Sequence, residues 1–177
     1  RSVQFLVTDA EGMDSTLDAA VSTPPLRTIK VVAVNNKPVL RYMANGVQQA
    51  GDMMTYNEND GEKLVQPDKL WITDLDDVNM ESAKVEIIAN YQRSEDTLTF
   101  ADTSKITGTW DSNFGVLTLF GTATNDEYRM ALESVKYSNP LQAPSPLPRK
   151  VQISVNDGEE NSPDGNGITT INVINVN

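Results

Sequence analysis

Arg149-Lys150-Val151-Gln152-Ile153-Ser154-Val155-Asn156-Asp157-Gly158 alternates polar and apolar side chains and runs into an Asn-Asp-Gly turn. At a period of two, Val151, Ile153 and Val155 share one face of a strand, and the turn residues end it. The stretch has a counterpart, offset by 148, in Arg1-Ser2-Val3-Gln4-Phe5-Leu6-Val7-Thr8-Asp9-Ala10. A second match follows in the same order: Thr170-Ile171-Asn172-Val173-Ile174-Asn175-Val176-Asn177 corresponds to Thr28-Ile29-Lys30-Val31-Val32-Ala33-Val34-Asn35, offset by 142. Two strand matches in order, differing only in loop length, define an internal repeat of roughly 140 residues.

The repeat sets the organisation. Residues 1–37 read as the last two strands of one repeat plus a linker, and residues 38–177 as one complete repeat. The boundary is Asn35-Asn36-Lys37-Pro38, where Asn favours turns and proline cannot donate to a ladder. Arg1 begins in mid-pattern, so the chain reads as a segment of something longer. Strands are expected over Arg1–Asp9, with Val3, Phe5 and Val7 on one face, and over Thr28–Val34. An isolated hairpin is marginal in water. This pair is therefore expected to complete a sandwich with residues outside the chain.

Within residues 38–177 the pattern is nearly all β. Strands are expected at Val39–Tyr42, within Met53–Gly61 where a strand runs into an Asn-Asp-Gly turn, and at Leu64-Val65, Leu70–Ile72, Ala83–Asn90, Asp96–Phe100, Ile106–Trp110, Val116–Gly121 and Val135–Tyr137, before the two quoted above. Asp111–Gly115 reads as a hairpin turn. The one helical candidate is Asn125–Val135: Asn125 can cap it, acids occupy its first turn, and Tyr128, Ala131, Leu132 and Val135 share a face. The proline-rich Leu141–Pro148 reads as a stiff connection crossing between two sheets. Short strands at regular spacing indicate an antiparallel sandwich.

Composition narrows the chemistry. Of 177 residues 38% are hydrophobic, enough to bury a core, and the net charge is −11, with 25 acids against 14 bases. No basic patch favours nucleic acid or an anionic membrane, and no apolar run approaches a membrane span. The chain has neither cysteine nor histidine. Disulfides, thiol nucleophiles, zinc sites and imidazole acid–base chemistry are thereby excluded.

An acidic surface rich in Asp and Asn instead favours cation binding, and one stretch concentrates it: Ile72-Thr73-Asp74-Leu75-Asp76-Asp77-Val78-Asn79-Met80-Glu81-Ser82-Ala83. Clustered carboxylates repel, and a fold that keeps them usually supplies a cation. Oxygen ligands at alternate positions suit Ca²⁺, which takes six to eight of them. The alternative is a solvated acidic loop that caps a strand.

Several short motifs recur in a fixed order: Tyr56-Asn57-Glu58-Asn59-Asp60, Ile72-Thr73-Asp74-Leu75-Asp76-Asp77, Thr97–Phe100, Gly115–Thr124, Ser134–Asn139 and Val155–Gly158. Together they resemble the tandem cadherin-like repeats of very large surface proteins and adhesins, over nearly the whole chain. The resemblance implies an all-β, Ig-like Greek-key β-sandwich with one short helix, strung end to end with Ca²⁺ at the junctions of an extracellular or cell-surface filament. It implies that Asp74 and Asp76 are the family's Asp-x-Asp pair, with Asn79 beside them and Asp157 on the same pole. Asn35 and Asn36 stand in the linker where the family more usually has Asn-Asp, one carboxylate fewer. Glu58 would face the opposite junction, and Asp9 the junction before the stub.

The implied role is a structural spacer, its partners being neighbouring repeats or other copies. The alternative is a carbohydrate- or protein-binding module of an adhesin, using Trp71, Trp110 or the proline-rich segment. Both tryptophans are expected to pack in the core or a hairpin. An enzyme is not expected: no Gly-x-Ser-x-Gly elbow or phosphate loop occurs, and the carboxylates lie on loops rather than flanking a cleft.

Overall fold

In the computed structural model, which describes residues 2–4, 26–66, 69–165 and 167–176, Ser2–Gln4 (β1) pairs antiparallel with Leu26–Thr28 (β2). Far along the chain, Arg149–Asn156 pairs antiparallel with Ile168–Ile174. Shifted by 148 and 142, the offsets of the sequence repeat, the first ladder maps onto the second. Ser2–Thr28 becomes Lys150–Thr170, Val3–Arg27 becomes Val151–Thr169, and Gln4–Leu26 becomes Gln152–Ile168. Register follows from which side chains must share a face, so stretches with one pattern take one register.

The first ladder lies in a unit spanning Arg1–Val34, the second in a unit spanning Asn35–Asn177. The strand expected over Thr28–Val34 does not form: β2 ends at Thr28, residues 29–38 carry no strand, and Val31, Val32 and Val34 are exposed. β-Branched residues favour a strand only where neighbours pack and pair with them. Phe5, Val7 and Asp9 lie outside the described residues.

The larger unit is a β-sandwich built from strands that bury alternate residues. In chain order they are Val39–Ala44 (β3), Val47–Gln49 (β4), Asp52–Asn57 (β5), Lys63–Leu64 (β6), Leu70–Thr73 (β7), Asn79–Ala89 (β8), Thr97–Thr99 (β9), Thr107–Asp111 (β10) and Val116–Thr124 (β11). After helix α1, Asn125–Glu133, come Lys136–Ser138 (β12), Arg149–Asn156 (β13) and Ile168–Ile174 (β14). One layer is a six-stranded sheet ordered β10-β11-β8-β13-β14-β5, antiparallel except for the parallel β14–β5 pair. Two three-stranded sheets, β6-β12-β9 and β4-β3-β7, complete the fold. Their buried residues, among them Leu40, Ile72, Leu98 and Tyr137, join Val85, Leu119, Ile153 and Ile171 of the large sheet in a single core. The proline-rich segment runs from β12 to β13, and so from one sheet to another as its composition predicts.

Helix α1 buries Tyr128, Ala131 and Leu132, the expected face, but its boundaries differ. Thr124, not Asn125, is the N-cap: its side chain accepts from the Glu127 N–H, and Glu127 reaches back to the Thr124 N–H. This reciprocal box satisfies two orphan donors, which a lone Asn125 cap would not. The helix stops at Glu133, and Val135 is buried beyond it. Glu127 also meets Lys105; the Lys105 and Thr124 hydrogen bonds pull its carboxyl down to about 2.

Strand directions define two poles. The start of β8 and the ends of β11 and β13 lie together, as do the end of β7 and the start of β3. The loop from Asp74 to Val78 joins β7 to β8 there. The ends of β5, β8 and β14 and the start of β13 lie at the other pole. Of the tryptophans, Trp110 packs edge-on against Tyr91 beside the hairpin turn, as expected. Trp71 does not: it is 54% exposed, because the alternation of β7 buries Leu70 and Ile72 and turns the residue between them outward.

Candidate metal centre

After Ile72 and Thr73 complete β7, the Asp74 carboxylate turns the chain. Its Oδ1 accepts from the backbone N–H groups of Asp76 at 3.1 Å and Asp77 at 3.3 Å. Such a side-chain-to-backbone bond imitates a backbone turn. It folds the loop so that carboxylate oxygens of Asp74, Asp76 and Asp77 lie within 4.8 Å of one another.

Two further segments close on this loop. The Asn36 N–H donates to both carboxylate oxygens of Asp76, each at 3.2 Å. Asn35 Nδ2 donates to Asp157 Oδ2 at 2.9 Å, while Asp157 Oδ1 accepts the N–H groups of Glu159 and Glu160 at 2.7 Å. The residues before β3 are thus tied to both acidic loops of this pole. Asn35 meets Asp157 as a donor; a half-turn of its amide would present Oδ1 instead.

The electrostatics record crowding. Burial and the charges of Asp76, Asp74 and Asp157 push the Asp77 carboxyl up. For Asp76, burial works upward, but hydrogen bonding with Asp74 and the N–H donated by Asn36 outweigh it and the carboxyl is lowered. Asp157 is lowered in the same way, by Asn35 and the two backbone donors against its burial. Among the described residues none of these four aspartates forms an ion pair; Lys37, next to Asn36, pairs instead with Glu160 at 3.6 Å.

The trio can hold a metal ion. Oxygens bound at 2.3–2.6 Å to one cation lie no more than about 5 Å apart, and the three carboxylates meet that limit. A second observation agrees. Asp74 Oδ2 is buried without a hydrogen-bond partner, a state that costs free energy unless something positive meets it. Asn125 Oδ1, at the start of α1, is likewise buried and unpartnered, and the Asn125 N–H donates to Val78 O at 3.3 Å, in the same loop.

Of the residues singled out in the sequence, the structure brings Asp74, Asp76, Asp157, Asn35 and Asn36 to one pole. Asn79 begins β8 opposite Thr124, and among the described residues its side chain makes no hydrogen bond to the aspartates. Glu58 lies at the far pole, where its Oε2 accepts from the Val176 N–H at 3.2 Å. Asp77 was not singled out: an Asp-x-Asp pattern selects alternate residues, whereas the Asp74 turn brings its neighbour in too. The adjacent Asp76-Asp77 pair was the available signal.

The far pole holds carboxylates of its own and treats them differently. Arg149 is fully buried. Its Nε meets both oxygens of Asp96 at 3.0 and 3.1 Å, Nη2 meets Glu95 at 3.1 Å, and Nη1 donates to Ser145 O and Leu147 O. Burial opposes its charge, but the Asp96 carboxylate outweighs burial and holds Arg149 protonated. Tyr137 adds a 2.6 Å hydrogen bond to Asp96, and Tyr56 stacks edge-on against Tyr137.

Compared with known proteins, the chain is 37% identical over 100 residues to Halomucin of Haloquadratum walsbyi (strain DSM 16790 / HBSQ001). The match covers 54% of this chain and 1% of that protein, so Halomucin is a partial homologue vastly longer than the segment it shares. No family model matches the chain, and no solved structure matches it. Among the described residues no helix is long and apolar enough to cross a membrane.

Proposed function

We propose that this chain is a piece of an elongated, non-enzymatic surface protein in which cadherin-like repeats serve as spacers and Ca²⁺ stiffens each junction. The observation that carries the reading is the clustering of Asp74, Asp76 and Asp77, together with Asp157, against the residues leading into β3, with no basic partner among the described residues. A short linker flexes, and a cation shared between it and the pole of the next repeat removes that freedom. Asp74, Asp76, Asp77 and Asp157 would hold the ion, with Asn35 and Asn36 bringing in the linker. The coinciding registers of the two ladders support residues 1–37 as the tail of a preceding repeat. The partial identity to a very long protein whose name marks it as mucin-like supports an extracellular or cell-surface setting. Neighbouring repeats are then the partners.

The test is the hydrodynamic radius of a protein holding two full repeats joined by Asn35–Pro38. Adding millimolar Ca²⁺ lengthens and rigidifies it, and a chelator reverses the change; an unchanged radius leaves the acidic loop merely solvated. The exposure of Trp71 favours a second reading, a ligand-binding role on the outer face of β7. Saccharide-induced change in tryptophan fluorescence that disappears in Trp71→Ala supports that role, and a flat titration removes it.

A further inference from the structure

We infer that the larger unit is built to bear tension along its strands, with β14 as the resisting element; the inference rests on the spacer reading above. The chain enters at the acidic pole through the buried Pro38 and β3, and leaves the far pole through β14. A pull between these points draws β3 toward one pole and β14 toward the other, each along its own axis.

Strand β14 meets that pull in shear on both sides. Thr169 to Ile174 face Asp52 to Asn57 in parallel, and Ile168 to Ile171 face β13. Ladder bonds run across the strand, so a lengthwise pull strains them together. A pull that parts two strand ends breaks them one by one. The parallel ladder is prolonged by the Glu58 N–H, which donates to Ile174 O at 2.8 Å, and by the Val176 N–H donating to the Glu58 carboxylate. Burial of Ile171 and Val173 anchors the strand to the core.

The two loaded strands also grip each other. The Tyr42 hydroxyl of β3 and the Thr169 hydroxyl of β14 share a buried 3.0 Å hydrogen bond. Gly167, entering β14, lies so close to Leu40 that a Cβ there would sit 2.4 Å from the leucine side chain. Movement of β3 is therefore opposed by β14 as well as by its ladders with β4 and β7. Glu58, read from sequence as a junction acid, acquires a role within its own repeat.

The chain lacks cysteine, so introduced cysteines give unique attachment points for single-molecule pulling on the full chain. One variant carries Lys37→Cys with Asn175→Cys, loading the unit along its strands. The other carries Leu147→Cys with Asn175→Cys, both exposed and both at the far pole, beyond neighbouring ends of β13 and β14. At one loading rate, in chelator, the first ruptures at about twofold higher force or more, since forced rupture reads the barrier to unfolding. Equal forces, or a weaker lengthwise axis, overturn the inference. Because this measurement uses one repeat without Ca²⁺, it can fail while the two-repeat radius still responds to the ion, and the converse.

Discussion

The two poles of the sandwich both gather carboxylates, but among the described residues only one of them supplies a cation to neutralise them. At the far pole Glu95 and Asp96 receive a guanidinium from their own chain, Arg149, which is fully buried and saturated with acceptors. At the acidic pole Asp74, Asp76 and Asp157 receive backbone N–H groups and one amide, the Asp77 carboxyl is pushed up by burial and like charges, none of the four forms an ion pair among the described residues, and one oxygen of Asp74 is left unpartnered. A pole that carries its own cation is complete within one repeat. A pole that lacks one is left open to a cation from outside, as the proposed junction requires.

The largest effect expected from this contrast is at Arg149. Arg149→Met leaves the Asp96 carboxylate buried beside an apolar chain and frees the Ser145 and Leu147 carbonyls. Removing one partner of a buried pair costs about 3–5 kcal/mol. Urea unfolding of the full chain should show a loss of that size, equal with Ca²⁺ and with chelator; a loss recovered by Ca²⁺ would erase the distinction between the poles.

The effect of the ion itself is smaller. With asparagine rather than aspartate at Asn36, the proposed site has one carboxylate fewer in the linker, and affinity is expected on the order of 10⁻⁴–10⁻³ M, the range of extracellular modules. At a few millimolar Ca²⁺ this adds about 1–2 kcal/mol by mass action. The melting temperature of the two-repeat protein should therefore rise on Ca²⁺ addition. Asp76→Ala should abolish the rise and Asn36→Asp should enlarge it. A rise that survives Asp76→Ala would move the ion elsewhere.

The smallest effect is at Asp77, and it carries a sign. Its folded carboxyl titrates above the ordinary value because burial and three like charges disfavour ionisation. Its charge therefore opposes folding of the metal-free protein above that folded value, and the opposition is relieved as pH falls through it. Asp76 and Asp157, both lowered, act in the opposite sense: their contribution is present above the ordinary carboxylate value and lost as pH falls. Asp77→Asn should slightly raise the melting temperature of metal-free protein at neutral pH and weaken the Ca²⁺ response. As pH is lowered, protonation of Asp77 should diminish Ca²⁺ binding in calorimetric titrations before Asp76 and Asp157 protonate. A mutant that melts lower without metal would show that Asp77 is not under repulsion.

Much of this was legible in the residues. Alternation along Val151-Gln152-Ile153-Ser154-Val155 and its echo near Arg1 set the strands, and the same pattern at both ends of the chain imposed one register. The helix was visible in Tyr128, Ala131 and Leu132, but its cap was not, because Thr124 and Asn125 are both good caps and only Glu127's reach back to Thr124 separates them. Trp71 was misjudged because an aromatic residue is usually worth burying, and only the phase of β7 assigns it outward. Asp96 and Arg149, separated by 53 positions, gave no local sign of meeting.

By itself the sequence determined the β character, the recurring strand pattern, the helix before β12 and the concentration of acids between β7 and β8, since each is a matter of local pattern and composition. Only the tertiary structure decided which carboxylates meet which cation. Pairing depends on which strand ends share a pole, and that is fixed by ladders joining residues far apart in the chain. The same ladders brought Asp157 to Asn35 and left Asp74 with a buried oxygen unpartnered, facts that no spacing along the chain contains.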